Sequence, residues 1–233
     1  MLSLTPHEVA VILLSLRVAF VSVLFSLPFA IAIAYLLARR KFIGKTLLDA
    51  IIHLPLVLPP VVVGFALLVL LGKKGMIGNL LNEWFGFVFA FRWTGAALAS
   101  AVMGFPLMVR AIRLSFENID RRIELAAQTL GASRFYAFVS ITLPLALPGI
   151  ITGILLSFAR GLGEFGATIT FVSNIPGETE TLPIAIYTLT QVPNADVEAF
   201  RLSVIAVILS IIALLISNWL TRSSFFAGSN ARR

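Results

Sequence analysis

The chain has no cysteine, so disulfides and thiolate metal sites have no part in its design. Its two histidines, His7 and His53, lack ligand spacing, which removes a histidine metal centre as well. Charge is scarce. Asp, Glu, Lys and Arg make up 12% of the 233 residues, against roughly 25% in a soluble domain. That is too little polar surface to wrap a water-soluble globule of this length. Acidic residues are the scarcest, 11 against 18 basic, for a net charge of +7. In a soluble domain such a balance would point to nucleic acid. In a membrane protein it reflects Lys and Arg gathered in cytoplasmic loops, and no nucleic-acid partner is inferred. Met1–Glu8 carries no Lys or Arg, so the basic start of a secretory signal is missing and the first apolar run is expected to stay as a helix. Gly44-Lys45-Thr46 is the nearest approach to a phosphate-binding loop, but the first glycine of that motif would fall at Arg39. No nucleophile triad is present, so catalysis has no foothold in the chain.

What is abundant is apolar sequence, 59% of the residues. A membrane helix needs about 20 mostly apolar residues to cross roughly 30 Å of hydrocarbon. Five segments qualify: Val9–Ala38, Leu47–Leu71, Trp93–Val109, a fourth from near Leu145 past Ala159 into a glycine-rich stretch, and Leu202–Leu220. Leu182–Val192 is apolar but too short to span, and reads as re-entrant or interfacial. The expected fold is an all-α polytopic membrane protein of about five transmembrane helices, a single domain over 1–233. With the N-terminus outside, the inner parts hold Arg39, Arg40, Lys41, Lys45, Arg110, Arg113, Arg121, Arg122, Arg134, Arg222, Arg232 and Arg233. The outer parts hold only Lys73, Lys74, Arg92 and Arg201. A threefold excess orients the chain N-out and C-in. The aromatic run Phe85–Trp93 then lies at the outer membrane interface, as an anchoring belt.

The longest inner loop, Arg110–Leu143, keeps apolar residues at helical spacing: Ile119, Ile123, Ala126, Ala127 and Leu130. Asp120 is placed to cap a helix starting at Arg121, Glu124 sits in its first turn, and Gly131 suits its end. A second helical piece, Ala132–Ile141, is expected before Pro144. The pattern fits a partner's groove and an ordinary interfacial linker equally well. Within the spans, Arg17 lies 22 residues from Arg39, or roughly 33 Å along a helix, near the outer interface and within snorkelling reach. His53 reads as a packed, hydrogen-bonded group rather than a proton relay. Arg160 and Glu164 stand one turn apart, roughly 22 and 28 Å from Leu145 in the outer half of the membrane, either as a structural ion pair or as a moving gate. Gly161, Gly163 and Gly166 loosen that region and would bare backbone N–H groups suited to an oxyanion. Gly149 and Gly153 permit close helix approach on span four. Five spans enclose a pathway poorly, so a symmetric pair is expected, with the pathway on its two-fold axis.

The run Leu125-Ala126-Ala127-Gln128-Thr129-Leu130-Gly131, followed by Ile141-Thr142-Leu143-Pro144, resembles the EAA loop of bacterial ABC importer permeases. That pattern is Glu-Ala-Ala, three residues, Gly, nine residues, Ile, one residue, Leu-Pro. Six fixed positions across 20 residues agree, and Leu125 stands where the family has glutamate, with Glu124 one residue earlier. Phe158–Ala167 and Ser173–Thr179, with Tyr187-Thr188-Leu189, look like the oxyanion permeases, and closest to those for molybdate. Sulfate and thiosulfate permeases share the Gly163-Glu164-Phe165-Gly166 part. The resemblance implies the type I importer architecture and alternating access driven by ATP. It implies two separate ATP-hydrolysing subunits holding ATP-Mg, a periplasmic oxyanion-binding protein, a second copy of the chain and a bacterial inner-membrane location. No cofactor is expected on the chain itself. The ATPase-coupling residues would be Asp120, Glu124, Leu125, Ala126, Ala127, Leu130, Gly131, Ala132 and Phe135. Sulfate, thiosulfate or tungstate remains open as cargo, and a self-sufficient secondary transporter is the competing class.

Overall fold

The computed structural model describes the backbone of residues 4–229, and side chains as far as 216 with 214 excepted. Every regular element among the described residues is helical. They are α1 (Pro6–Arg39), α2 (Lys45–Val57), α3 (Pro60–Leu71), α4 (Met76–Phe85), α5 (Trp93–Asn118), α6 (Arg121–Thr129), α7 (Arg134–Ala137), a π-helical turn (Phe138–Thr142), α8 (Leu143–Leu162), α9 (Gly166–Val172), α10 (Leu182–Leu189) and α11 (Asp196–Ser229). Hydrocarbon offers the backbone no hydrogen bonds, and a helix satisfies its own.

α5 is the centre of the bundle. Of its most apolar stretch 67% is buried, against 39% for α1 and 22% for the run Arg134–Leu162. Small residues let its neighbours close in. On α8, a Cβ at Gly149 would come 2.3 Å from the Ser115 Cβ, and one at Gly153 would meet the Met108 carbonyl at 3.0 Å. One at Gly104 of α5 would strike the Ser157 hydroxyl at 2.3 Å. The Gly149–Gly153 face is thus spent on α5 of the same chain.

These pairings fix direction. Arg17 of α1 lies over the Trp93 ring at the start of α5, at 3.7 Å, and Tyr35 meets Phe116 near the far ends of the same two helices. α1 and α5 therefore run parallel. α8 runs against them, because Gly149 meets Ser115 while Ser157 meets Gly104. α11 starts beside the start of α1, where Leu202 packs on Val11. The starts of α1, α5 and α11 share one face, and α6 lies at the other.

The structure corrects three boundaries. The expected span Leu47–Leu71 is broken: α2 and α3 bend by 114° at Leu58–Pro59. Pro59 and Pro60 have no N–H to donate, and proline pushes the residue before it out of helical geometry. The expected span Trp93–Val109 continues as helix to Asn118, so the loop is shorter than Arg110–Leu143. Arg113 supports the added turns through Glu117 at 2.8 Å and Asp49 of α2 at 3.0 Å. Ala132–Ile141 is not a separate helix, for α7 passes through the π turn straight into α8. The wide turn accommodates Pro144, which cannot donate to the carbonyl one helical turn back and would crowd it. Leu182–Val192 is short as expected. α10 lies against α1 and α11, with Leu182 and Ala185 buried. The fifth expected span falls within α11, partly beyond the described side chains.

Charge at the start of α1 is tied down. Thr5 and Glu8 form a reciprocal capping box, and Arg201 of α11 donates to Glu8 at 2.7 Å. Burial pushes the Glu8 carboxyl up. The Thr5 amide and the Arg201 guanidinium outweigh it and hold the group below its ordinary 4.5. A depressed carboxylate stabilises the fold above its unfolded pKa, and that contribution is lost as pH falls through the folded value. Acidification below pH 4.5 should therefore weaken the α1–α11 junction, and Arg201→Met should flatten that part of a stability-versus-pH curve measured in detergent. At the α5–α8 seam, Gly149→Leu should lower stability by about 1–3 kcal/mol, read from thermal unfolding, because Ser115 leaves no room.

Candidate functional site

Two groups of residues stand out from the bundle. The first is the loop between α5 and α8. Asp120 caps α6 by accepting the Arg122 amide at 2.9 Å. α6 ends as a Schellman turn: Gly131 at φ +90° donates to the Gln128 carbonyl at 3.1 Å, and Ala132 to that of Ala127 at 3.0 Å. A left-handed residue here needs glycine, which is what the spacing of Gly131 led one to expect. α6 has no buried side chain. Leu130 is 89% exposed, Phe135 77%, Tyr136 64% and Leu125 58%. Together these side chains form an exposed apolar patch of the kind that meets another protein or a membrane. Ala126 shares the exposed side, while Ala127 and Ala132 are half-buried.

Glu124 faces the other way. Its Oε1 accepts from Arg39 Nη2 at 3.1 Å and from the Thr142 hydroxyl at 2.8 Å. Neither Arg39 nor Thr142 stood out in the sequence. Both lie far from Glu124 in the chain, and only the basic excess around Arg39 hinted at its position. His53 is engaged as expected, with Nδ1 at 2.8 Å from the Asp49 carbonyl.

The second group is the break after α8. Arg160 Nη1 meets Glu164 Oε2 at 2.5 Å, with Glu164 side chain 1% and Arg160 28% exposed. Glu164 Oε1 also accepts the Ala167 amide at 2.8 Å, so that donor is not free for an anion. Of the three glycines, Gly161 approaches α1 at Ala19 and Ser22, and Gly166 would press a Cβ to 2.7 Å from Pro60 of α3. Gly163 alone faces open space, and it lines a cavity of about 470 Å³ with Phe165, Pro183, Tyr187 and Ser210. No cluster of metal-ligating side chains occurs among the described residues.

The architecture has known counterparts. The chain superimposes with a TM-score of 0.73 on a chain of a bacterial alginate ABC transporter, at 19% identity over 94% of this chain and 80% of that one. It gives 0.71 on the MetNI methionine ABC transporter, at 16% identity over 93% and 95%. These likenesses establish the fold. Residues 9–224 match the family of binding-protein-dependent transport system inner membrane components. The chain belongs to this family. It is therefore a membrane-spanning permease of an import system, and a transport subunit rather than an enzyme. The permease is 62% identical to the Molybdenum transport system permease protein ModB of Escherichia coli (strain K12), over 95% of this chain and 96% of that one. It is 60% identical to the ModB of Haemophilus influenzae over 92% and 94%. The Sulfate transport system permease protein CysT of Salmonella typhimurium is 39% identical over 78% of this chain and 65% of its own.

For this permease the Arg160–Glu164 pair, buried at its carboxylate and half-buried at its guanidinium, gives a direct expectation. Arg160→Ala strands the Glu164 carboxylate, at a cost of about 3–5 kcal/mol, whereas replacing both by apolar residues of similar volume should cost far less. Thermal unfolding of the two variants in detergent distinguishes them.

Proposed function

We propose that this permease imports molybdate across the bacterial inner membrane by alternating access. It acts as a single membrane domain, paired with a second copy of itself, and the pathway lies between the two. The N-terminus is outside and the C-terminus cytoplasmic. The observation that carries the cargo is identity: 62% to a molybdenum permease over nearly the whole of both chains, against 39% to a sulfate permease over less of each. Sulfate is the alternative that this second kinship favours, and thiosulfate or tungstate would be carried by a permease of the same type.

The arrangement of charge supports the orientation. The face bearing α6 also bears Arg39, Arg40, Lys41, Lys45 and Arg113, as an inner face should. On that face the patch of Leu125, Leu130, Phe135 and Tyr136 is the seat for an ATP-hydrolysing subunit, one per copy, and ATP-Mg binds there and not on the permease. A periplasmic oxyanion-binding protein delivers cargo to the opposite face. A bare dianion in hydrocarbon faces a cost of tens of kcal/mol, so it needs a walled path. Arg160, Gly163 and Glu164, at the joint between α8 and α9, shape the mouth of that path, while Gly161 and Gly166 let the joint pack against α1 and α3.

The deciding experiment is uptake of labelled molybdate and sulfate into proteoliposomes, with the ATPase and the binding protein each omitted in turn. Molybdate uptake only with all components present is expected. Uptake by the permease alone would instead make it a secondary transporter, and a preference for sulfate would reassign the cargo. Leu130→Glu should weaken recovery of the ATPase with the permease about tenfold, corresponding to roughly 1.4 kcal/mol.

A further inference from the structure

α6 poses a mechanical problem. It is nine residues long and has no buried side chain. A helix that short is unstable alone in water, and hydrophobic packing does not hold this one. Whatever a partner does to α6 must reach the membrane helices through some other connection, or be lost in the two loops that flank it.

The connection is polar and converges on one carboxylate. Glu124 Oε1 accepts from Arg39, the last residue of α1, and from Thr142, the last residue of the π turn beneath α8. Arg39 Nη2 also donates to the Ile119 carbonyl at 3.1 Å, and Arg121 Nη2 donates back to the Arg39 carbonyl at 2.7 Å. Both ion-pair partners are sheltered, with side chains 7% and 15% exposed, and Thr142 is fully buried. Sheltered charge-assisted hydrogen bonds are short, directional and stiff. Leu125, the next residue in the chain, is exposed.

We infer that Glu124 is a positioning residue for coupling, the bolt that makes α6 move as one body with the ends of α1 and α8. This rests on the importer reading above. Motion of α6 then displaces the two helices flanking α5 while α5 stays put as the packed core. A π turn at the root of α8 suits this role, since such turns admit local shifts that a regular helix resists.

The test uses the assembled transporter: permease, ATPase and binding protein. Glu124→Gln keeps the shape and an acceptor for Thr142 but removes the charge. Expected is ATP hydrolysis within about twofold of the parent, with cargo imported per ATP falling about tenfold. Arg39→Gln should do the same, and the double variant should be no worse than either single one, because both break one link. Multiplying losses would overturn the bolt. So would unchanged import per ATP in Glu124→Gln, or loss of the ATPase from the purified complex, which would make Glu124 a docking contact. Failure of the parent complex to import with ATP would sink the importer reading rather than the bolt. The bolt is also read without transport, from spin labels at Lys41 and Arg122. A narrow distance distribution in the parent that broadens in Glu124→Gln is expected, and an unchanged distribution would overturn the inference.

Discussion

A helix in hydrocarbon gains little by hiding leucine from lipid, so membrane helices must be held together by close approach. In this protein that constraint falls on α5. Gly104, Gly149 and Gly153 remove the side chains that would keep α5 and α8 apart, and Ser115, Ser157 and Met108 fill the space left. Ala96, Ala97, Ala99 and Ala101 keep the rest of the α5 surface low enough for α1 and α9. Large apolar side chains such as Leu13, Phe20, Leu24, Phe29 and Val57 are meanwhile left exposed, where lipid is the solvent. The bundle is therefore close-packed at its centre and lined with large apolar side chains at its rim.

Charge is used sparingly and at junctions. Three sheltered carboxylates each meet an arginine: Glu8 with Arg201, Glu124 with Arg39, and Glu164 with Arg160. The first ties α1 to α11, the second ties α6 to α1, and the third braces the joint between α8 and α9. In surroundings this apolar an unpaired charge is very costly, so each pair is a strong positional constraint whatever its net worth to stability. The breaks in the helices fall at comparable places. Pro59–Pro60 turns the chain between α2 and α3, and Gly163 ends α8 beside a cavity. The irregular backbone thus falls at the joints between helices rather than within the packed centre.

Much of this was legible in the sequence. Long apolar runs mark helices because hydrocarbon permits little else. Asp120, Glu124 and Gly131 mark the start and end of α6 because caps and left-handed turns demand particular residue types locally. Arg160 and Glu164 could be paired because one helical turn separates them. Each of these depends on neighbours in the chain or on the solvent. The sequence could not show that Leu47–Leu71 turns by 114°, since consecutive prolines allow a kink without setting its size. Nor could it show that Glu124 points inward. That direction depends on Arg39 and Thr142, which are 85 and 18 residues away in the chain and meet it only once α1, α6 and α8 are packed together. Composition and local geometry determined that the chain crosses the membrane and where α6 begins and ends. Tertiary packing alone decided which charges face one another, because a buried charge takes its partner from whichever element the fold brings within reach.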